Sequence, residues 1–214
     1  MMIPSNSRVF VIDDDPSVRK GLARLLHSAG YKHEVFESAS DFLARSPHSG
    51  PSCVIVDVQM PDVSGMDFQE TLIQQGREEQ LVFITGHGDI PMCAQAMKAG
   101  AVDFLRKPFR GEELLQCVER ALARSAEQRR CSAERDNARC LLELLTPREF
   151  EVMQLVVTGM LNKQIAGELG TAEKTVKVHR GRGMQKLGVT SVAELVKLVE
   201  KASIASVGNS KTKV

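Results

Sequence analysis

Asp57 closes the apolar run Cys53-Val54-Ile55-Val56, and the turn-forming stretch Met60-Pro61-Asp62-Val63-Ser64-Gly65 follows almost at once. A buried strand that ends on a carboxylate and breaks into a loop sets that carboxylate on the rim of a sheet. Three further carboxylates, Asp13, Asp14 and Asp15, follow the apolar run at 9–12. Asp15 precedes Pro16 and a helical stretch, so it is placed as an N-cap; Asp13 and Asp14 have no such duty. Carboxylates brought together repel, and the usual relief is a divalent cation or a raised pKa. Oxygen-only ligands with room for water suit Mg²⁺. Thr85 ends the run at 81–84, and Lys107 follows the run at 102–105 and precedes Pro108. A hydroxyl, an ammonium and a cation site around one carboxylate make a cradle for a phosphoryl group. Asp57 is then placed to act as nucleophile and form an acyl phosphate.

That chemistry requires the strand ends to meet, and the pattern of elements supplies the reason. Short apolar runs at 9–12, 33–36, 53–56, 81–84 and 102–105 alternate with helix-like stretches at 18–30, 67–76 and 90–100. The first and last of these stretches stop on Gly30 and Gly100. Such alternation predicts βα units and a parallel sheet covered on both faces. The expected fold is α/β: a five-stranded doubly wound parallel sheet, then a helical linker, then an all-α domain. In a doubly wound sheet, ligands bind beyond the carboxyl ends of the strands where the strand order reverses. Asp13, Asp14 and Asp57 belong to the strands that flank this reversal.

The segments VIDDDPSVR, VIVDVQMPDVSGMD and VFITGHGDIPMCAQAMKAGAVDFLRKPF resemble the CheY-like receiver domain of two-component response regulators. By that resemblance Asp57 is the phosphoacceptor and Asp13 and Asp14 hold Mg²⁺ together with Asp57. Gln59 adds a backbone carbonyl, Lys107 contacts the phosphoryl group, and Thr85 and Phe104 form the switch pair. Phe104 stands where many members carry Tyr, so the switch is expected to work without a hydroxyl. A cis peptide is expected before Pro108, and His87 falls where the family tunes dephosphorylation. The resemblance also implies a sensor histidine kinase as partner. Phosphorylation is expected to create a homodimer face over about residues 90–115.

Residues 144–205 read as a second domain with different partners. From 111 to 145 the sequence is rich in Ala, Leu, Glu and Arg and lacks Pro and further Gly. It predicts the last receiver helix running on as a solvated linker, 123–143. Beyond it, Thr146-Pro147-Arg148-Glu149 is a capping box with Pro at the first helical position, and Ser191 to Glu194 is a second box. Gly170 ends one helix, and Thr171 is expected to cap the next. Short helices around a tight turn predict a helix-turn-helix over about 162–181. The segment from Leu145 to Val196 resembles the LuxR-type motif, and the whole chain is similar to the NarL/FixJ-type transcriptional regulators. The resemblance implies that the second helix enters the major groove of double-stranded promoter DNA. Helical periodicity turns Val176, Gly183 and Leu187 inward and Lys177, Val178 and Gly181 outward with Lys174 and Arg182. The candidate DNA contacts are Lys174, Lys177, Val178, Arg180 and Arg182. Gly181 and Gly183 break the helix propensity of this segment. The missing side chain at Gly183 predicts an underfilled core, partly offset by Met184, and a partly frayed recognition helix that Gly183→Ile would firm up.

Charge agrees with this division. Residues 1–118 hold 11 basic and 16 acidic side chains, a balance of −5, whereas residues 144–214 hold 11 and 6, a balance of +5. An acidic front and a basic back fit separate partners, the second one nucleic acid. The five cysteines are odd in number and show no CxxC spacing, which argues against a disulfide framework or structural zinc. No apolar run approaches the roughly 18 residues that span a membrane, and the amino terminus lacks a signal peptide's apolar core. The expected location is cytoplasmic, with a disordered tail at 206–214 and a receiver at 8–122. The protein is expected to be no enzyme beyond its own phosphoryl transfer and slow dephosphorylation. An aspartyl-phosphate hydrolase would place a DxD pair after the first strand, whereas this chain has DDD followed by a helix cap. A ligand-sensing LuxR-type regulator would need an aromatic pocket, whereas the chain has no Trp and one Tyr.

Overall fold

A computed structural model describes residues 6–61, 63–86 and 90–203. His87 and the tail at 206–214 lie outside the described residues. The chain divides into two compact units at Arg129/Arg130.

The first unit is a five-stranded parallel sheet in the order β2-β1-β3-β4-β5. Its strands are β1 (Arg8–Ile12), β2 (His33–Phe36), β3 (Ser52–Asp57), β4 (Gln80–Thr85) and β5 (Asp103–Arg106). The apolar runs read from the sequence are these strands, and every residue of the central β3 and β4 is buried. Between them lie α1 (Pro16–Ser28), α2 (Ala39–Ala44), α3 (Gly65–Gln74) and α4 (Ile90–Lys98). Alternate side chains of each strand face opposite layers. Val9, Val11, Ile55 and Ile84 share a core with Leu22, Leu26, Leu114 and Val118. Phe10, Ile12, Val54, Val56 and Phe83 share the other with Phe42, Phe68 and Leu72. Helix α2 escaped the sequence reading because six residues carry fewer than two helical turns of periodicity.

Caps set where the helices begin. The Asp15 carboxylate accepts from the Ser17 N–H at 2.7 Å, as its position before Pro16 predicts. The Ser64 hydroxyl caps α3 by accepting from the Asp67 N–H. Gly65 is required by space: a Cβ there would stand 2.8 Å from the Asp57 carbonyl oxygen and 2.9 Å from Val58 Cα. The loop after β3 can therefore fold back directly over the strand end that bears Asp57.

Helix α5 (Gly111–Glu143) is a single helix of 33 residues. The solvated linker expected over 123–143 is instead engaged at both ends. Ser125 is fully buried, and its hydroxyl accepts from the Ser52 N–H at 3.0 Å. Gln128 accepts from the Gln80 side chain, and Arg129 donates to the carbonyls of His48 and Ser49. Leu141 and Leu142 pack against the core of the second unit. Charge-rich composition hid these contacts, since the polar side chains bond to backbone and amide groups rather than to water.

The second unit holds α6 (Pro147–Val157), α7 (Asn162–Glu168), α8 (Glu173–Leu187) and α9 (Val192–Ser203) around Val152, Met153, Val156, Ile165, Val176, Leu187 and Leu195. The capping box of Thr146 and Glu149 is present in full. At the second box, Ser191 accepts from the Glu194 N–H, while the Glu194 carboxylate reaches past it to the Thr190 N–H. Thr171 does not cap α8: the N-cap is Ala172, with no side-chain bond. The Thr171 N–H is instead turned back to the Ala166 carbonyl, closing the tight turn after Gly170 at φ +60°.

The expectation at Gly183 is also corrected. Val176, Gly183 and Leu187 do face inward, but the space over Gly183 is occupied. An added Cβ would lie 3.1 Å from Met153 Cε and 3.3 Å from its Cγ and Sδ. Met153 from α6, rather than Met184, fills the place of the missing side chain, and α8 is helical from Glu173 to Leu187.

Candidate functional site

Parallel pairing of β1 with β3 and of β3 with β4 aligns their carboxyl ends, so the residues that follow them share one rim. Asp13, fully buried, and Asp57, 7% exposed, face each other across this rim. Lys107 joins them: its Nζ lies 2.8 Å from Asp13 Oδ2 and 2.7 Å from Asp57 Oδ2. The Lys107 N–H donates to the Thr85 carbonyl at 2.7 Å, and the Lys107–Pro108 peptide is cis. The side chain of Lys107 thus starts just after β5, beside the end of β4, and reaches to Asp13 and Asp57.

Each carboxylate is held by the turn that follows it. Asp13 Oδ1 accepts from the Asp15 N–H at 2.9 Å, and Asp57 Oδ1 accepts from the Gln59 N–H at 3.0 Å. Asp14 is exposed, and it, Asp13 and Asp57 each offer an oxygen within 4.8 Å of the others. Burial pushes the Asp13 carboxyl above its ordinary pKa despite the opposing bonds from Lys107 and Asp15. Burial also works against the charged form of Lys107, but its bonds to Asp13 and Asp57 outweigh this and raise its pKa. The rim therefore holds two close anions and one cation, with the exposed Asp14 beside them. Oxygen donors of this kind fit a hard divalent cation.

Thr85 is fully buried at the end of β4. Phe104 is half-buried on β5 opposite Phe83 in register, with ring centroids 6.2 Å apart. Asp13, Asp14, Asp57 and Lys107, singled out in the sequence, meet at this rim, and Thr85 ends the strand beside it. Arg19 was missed, although a cation early in a helix opposes the helix dipole and is a signal in itself.

The residues expected to meet DNA lie on α8. Lys174, Lys177, Val178 and Arg182 are exposed, and Gly181 is exposed with open space around it. Arg180 is half-buried and donates to Asn162 Oδ1 at 3.0 Å, tying the recognition helix to the start of α7. At the other end of α8, Lys186 Nζ lies 2.7 Å from Glu149 Oε2 and 3.2 Å from the Leu144 carbonyl. That bond to Lys186, with those from Thr146, holds the Glu149 carboxyl down at about 2.

Residues 9–119 match the response regulator receiver domain, and residues 143–199 match the bacterial regulatory proteins of the luxR family. The chain belongs to the two-component response regulators. The regulator is 44% identical over 206 residues to Nodulation protein W of Bradyrhizobium diazoefficiens, covering 96% of this chain and 91% of that one. It is 38% identical to the transcriptional regulatory protein FixJ of Azorhizobium caulinodans, covering 95% and 96%. Among solved structures it is similar to the response regulator StyR, with a TM-score of 0.82 at 51% identity over 92% of this chain and 100% of that one. The regulator thus couples a receiver to a LuxR-type DNA-binding domain and is a transcriptional regulator of a two-component system. These matches favour neither a hydrolase nor a ligand sensor. Among the described residues no helix is long and apolar enough to cross a membrane.

Proposed function

We propose that Asp57 of this regulator accepts a phosphoryl group from the phosphohistidine of a sensor kinase. The observation that carries this reading is the bridge of Lys107 between Asp13 and Asp57 on one rim. Asp57 Oδ attacks phosphorus, the P–N bond to histidine breaks as the O–P bond forms, and the product is an acyl phosphate. Lys107 supports the reaction by placing its ammonium where phosphoryl oxygens gather charge, at Asp57 Oδ2. Asp13, Asp14 and Asp57 would hold Mg²⁺, with the Gln59 carbonyl. Bound there, the cation offsets charge on the transferring group. Burial of Asp13 keeps competing water from that side of the site.

The Thr85 hydroxyl and the Phe104 ring form the switch in this reading. The hydroxyl turns to the new phosphoryl oxygens and the ring follows inward, biasing α4 and β5 toward a second arrangement. That arrangement presents residues 90–115 as a face for a second copy. The dimer presents two α8 helices to promoter DNA, with Lys174, Lys177, Val178 and Arg182 toward the groove. Arg180 acts from the side, by fixing α8 to α7.

Incubation with Mg²⁺ and a small acyl phosphate should add one phosphoryl group, read as a mass increase. Asp57→Ala should take up none, and a chelator should block labelling. Undiminished labelling of Asp57→Ala would refute the assignment.

A further inference from the structure

The turn that carries Asp13, Asp14 and Asp15 concentrates three carboxylates on consecutive residues, and something must hold it closed. Every polar group of Asp13 is committed. Its N–H donates to the Phe36 carbonyl at 3.4 Å, a long bond, and its two carboxylate oxygens accept from the Asp15 N–H and from Lys107. Its carbonyl oxygen accepts from Arg19 Nη1 at 2.6 Å. That is the shortest bond Asp13 makes to a charged group, and the cation comes from outside the rim.

Arg19 is built for this. It sits one turn into α1, its own N–H donating to the Asp15 carbonyl at 3.0 Å, so its backbone is fixed to the same turn. The side chain is 16% exposed and folds back over the start of the helix, where Nη2 lies 3.8 Å from Glu37 Oε2. One nitrogen of the planar fork thus bonds the turn after β1, and the second stands in ion-pair range of the exposed Glu37 after β2 without hydrogen bonding it. An ammonium on a flexible lysine stem lacks the fixed plane that presents two separate nitrogens to these two segments. A charge-assisted bond to a carbonyl is about twice as strong as a neutral one. The guanidinium charge also offsets the repulsion that would open the turn.

We propose that Arg19 is a positioning residue for the divalent cation site, setting the approach of the Asp13 and Asp14 carboxylates without touching the ion. This rests on the reading of the rim as a Mg²⁺ site. Groups that orient metal ligands typically change affinity about 10–100-fold when removed.

The test is calorimetric titration of the full chain with Mg²⁺, paired with melting of the first unit in chelator. Wild type should bind, Arg19→Ala should bind about tenfold more weakly or worse, and Arg19→Lys should recover part of the loss. If Arg19→Ala does not fold, Arg19→Gln takes its place under the same criterion. Wild-type affinity in the Arg19→Ala protein overturns the proposal, even if its metal-free melting temperature falls, because Arg19 would then serve packing alone. Absence of Mg²⁺ binding by wild type would instead overturn the cation reading of the rim.

Discussion

Gly183 gives the sharpest test of how the DNA-binding unit is packed. Gly183→Ile places a branched apolar side chain at an inward position of α8. Two effects compete. Ile is a better helix former than Gly by about 0.5 kcal/mol, which favours the variant. Against this, the Cβ alone would meet three atoms of Met153 at 3.1–3.3 Å, and Met153 is itself 1% exposed. Met153 must therefore shift before the three remaining carbons of Ile can be placed. Overpacking a filled core costs about 1–3 kcal/mol, so the net loss is about 0.5–2.5 kcal/mol. For a unit of this size, about 1 kcal/mol moves the melting temperature by roughly 4–8 °C. Calorimetry of the full chain should therefore show the second unit's transition several degrees lower in Gly183→Ile. Adding Met153→Ala should return part of that loss by opening the space. Gly181→Ala supplies the contrast, since nothing lies within 4 Å of its Cβ. It should raise the same transition, because only the helix-propensity gain of about 1 kcal/mol acts there. A rise for Gly183→Ile would refute the reasoning, showing that Met153 leaves the site freely.

Two further outcomes are expected. In a binding assay across salt concentrations, operator affinity should fall as salt rises; Lys177→Ala should cost about 1–3 kcal/mol and relax preference at one base position if it reads a base bidentately, whereas Arg182→Ala should weaken all sequences about equally. The depressed Glu149 carboxyl stabilises the second unit in full above its ordinary value near 4.5, and this contribution is lost as pH falls toward about 2. Acid titration followed by circular dichroism should therefore show Lys186→Met, which removes the partner holding Glu149 down, narrowing the stability difference between pH 6 and pH 3.

Much of the receiver was legible because its information is local. Continuous apolar runs marked β3 and β4, Asp15 before Pro16 marked the start of α1, and each rim residue ends a strand or directly follows one. Once strands are parallel, the residues after them must share an edge, so Asp13, Asp57, Thr85 and Lys107 could be grouped from spacing alone. Helix α2 was too short to show a period. Ser125, Gln128 and Arg129 looked like a solvated face because polar residues are usually exposed, yet their partners are backbone and amide groups across the sheet's other end.

What the sequence determined by itself was the set of elements and the side on which their chemistry gathers, since periodicity, caps and strand-end position act over a few residues. What only the tertiary structure decided was which group fills or binds which. Met153 lies thirty positions before Gly183, and nothing in either neighbourhood states that one side chain occupies the other's space. Thr171 had the right type to cap α8, but the turn after Gly170 carries the chain one residue further before the helix begins, and the N-cap position falls on Ala172. Arg19 could have pointed to solvent like most early-helix cations, and it folds back because a carbonyl and Glu37 wait on two other segments. Space filling and hydrogen-bond pairing are properties of surfaces brought together by the fold, and they do not exist until the chain has closed on itself.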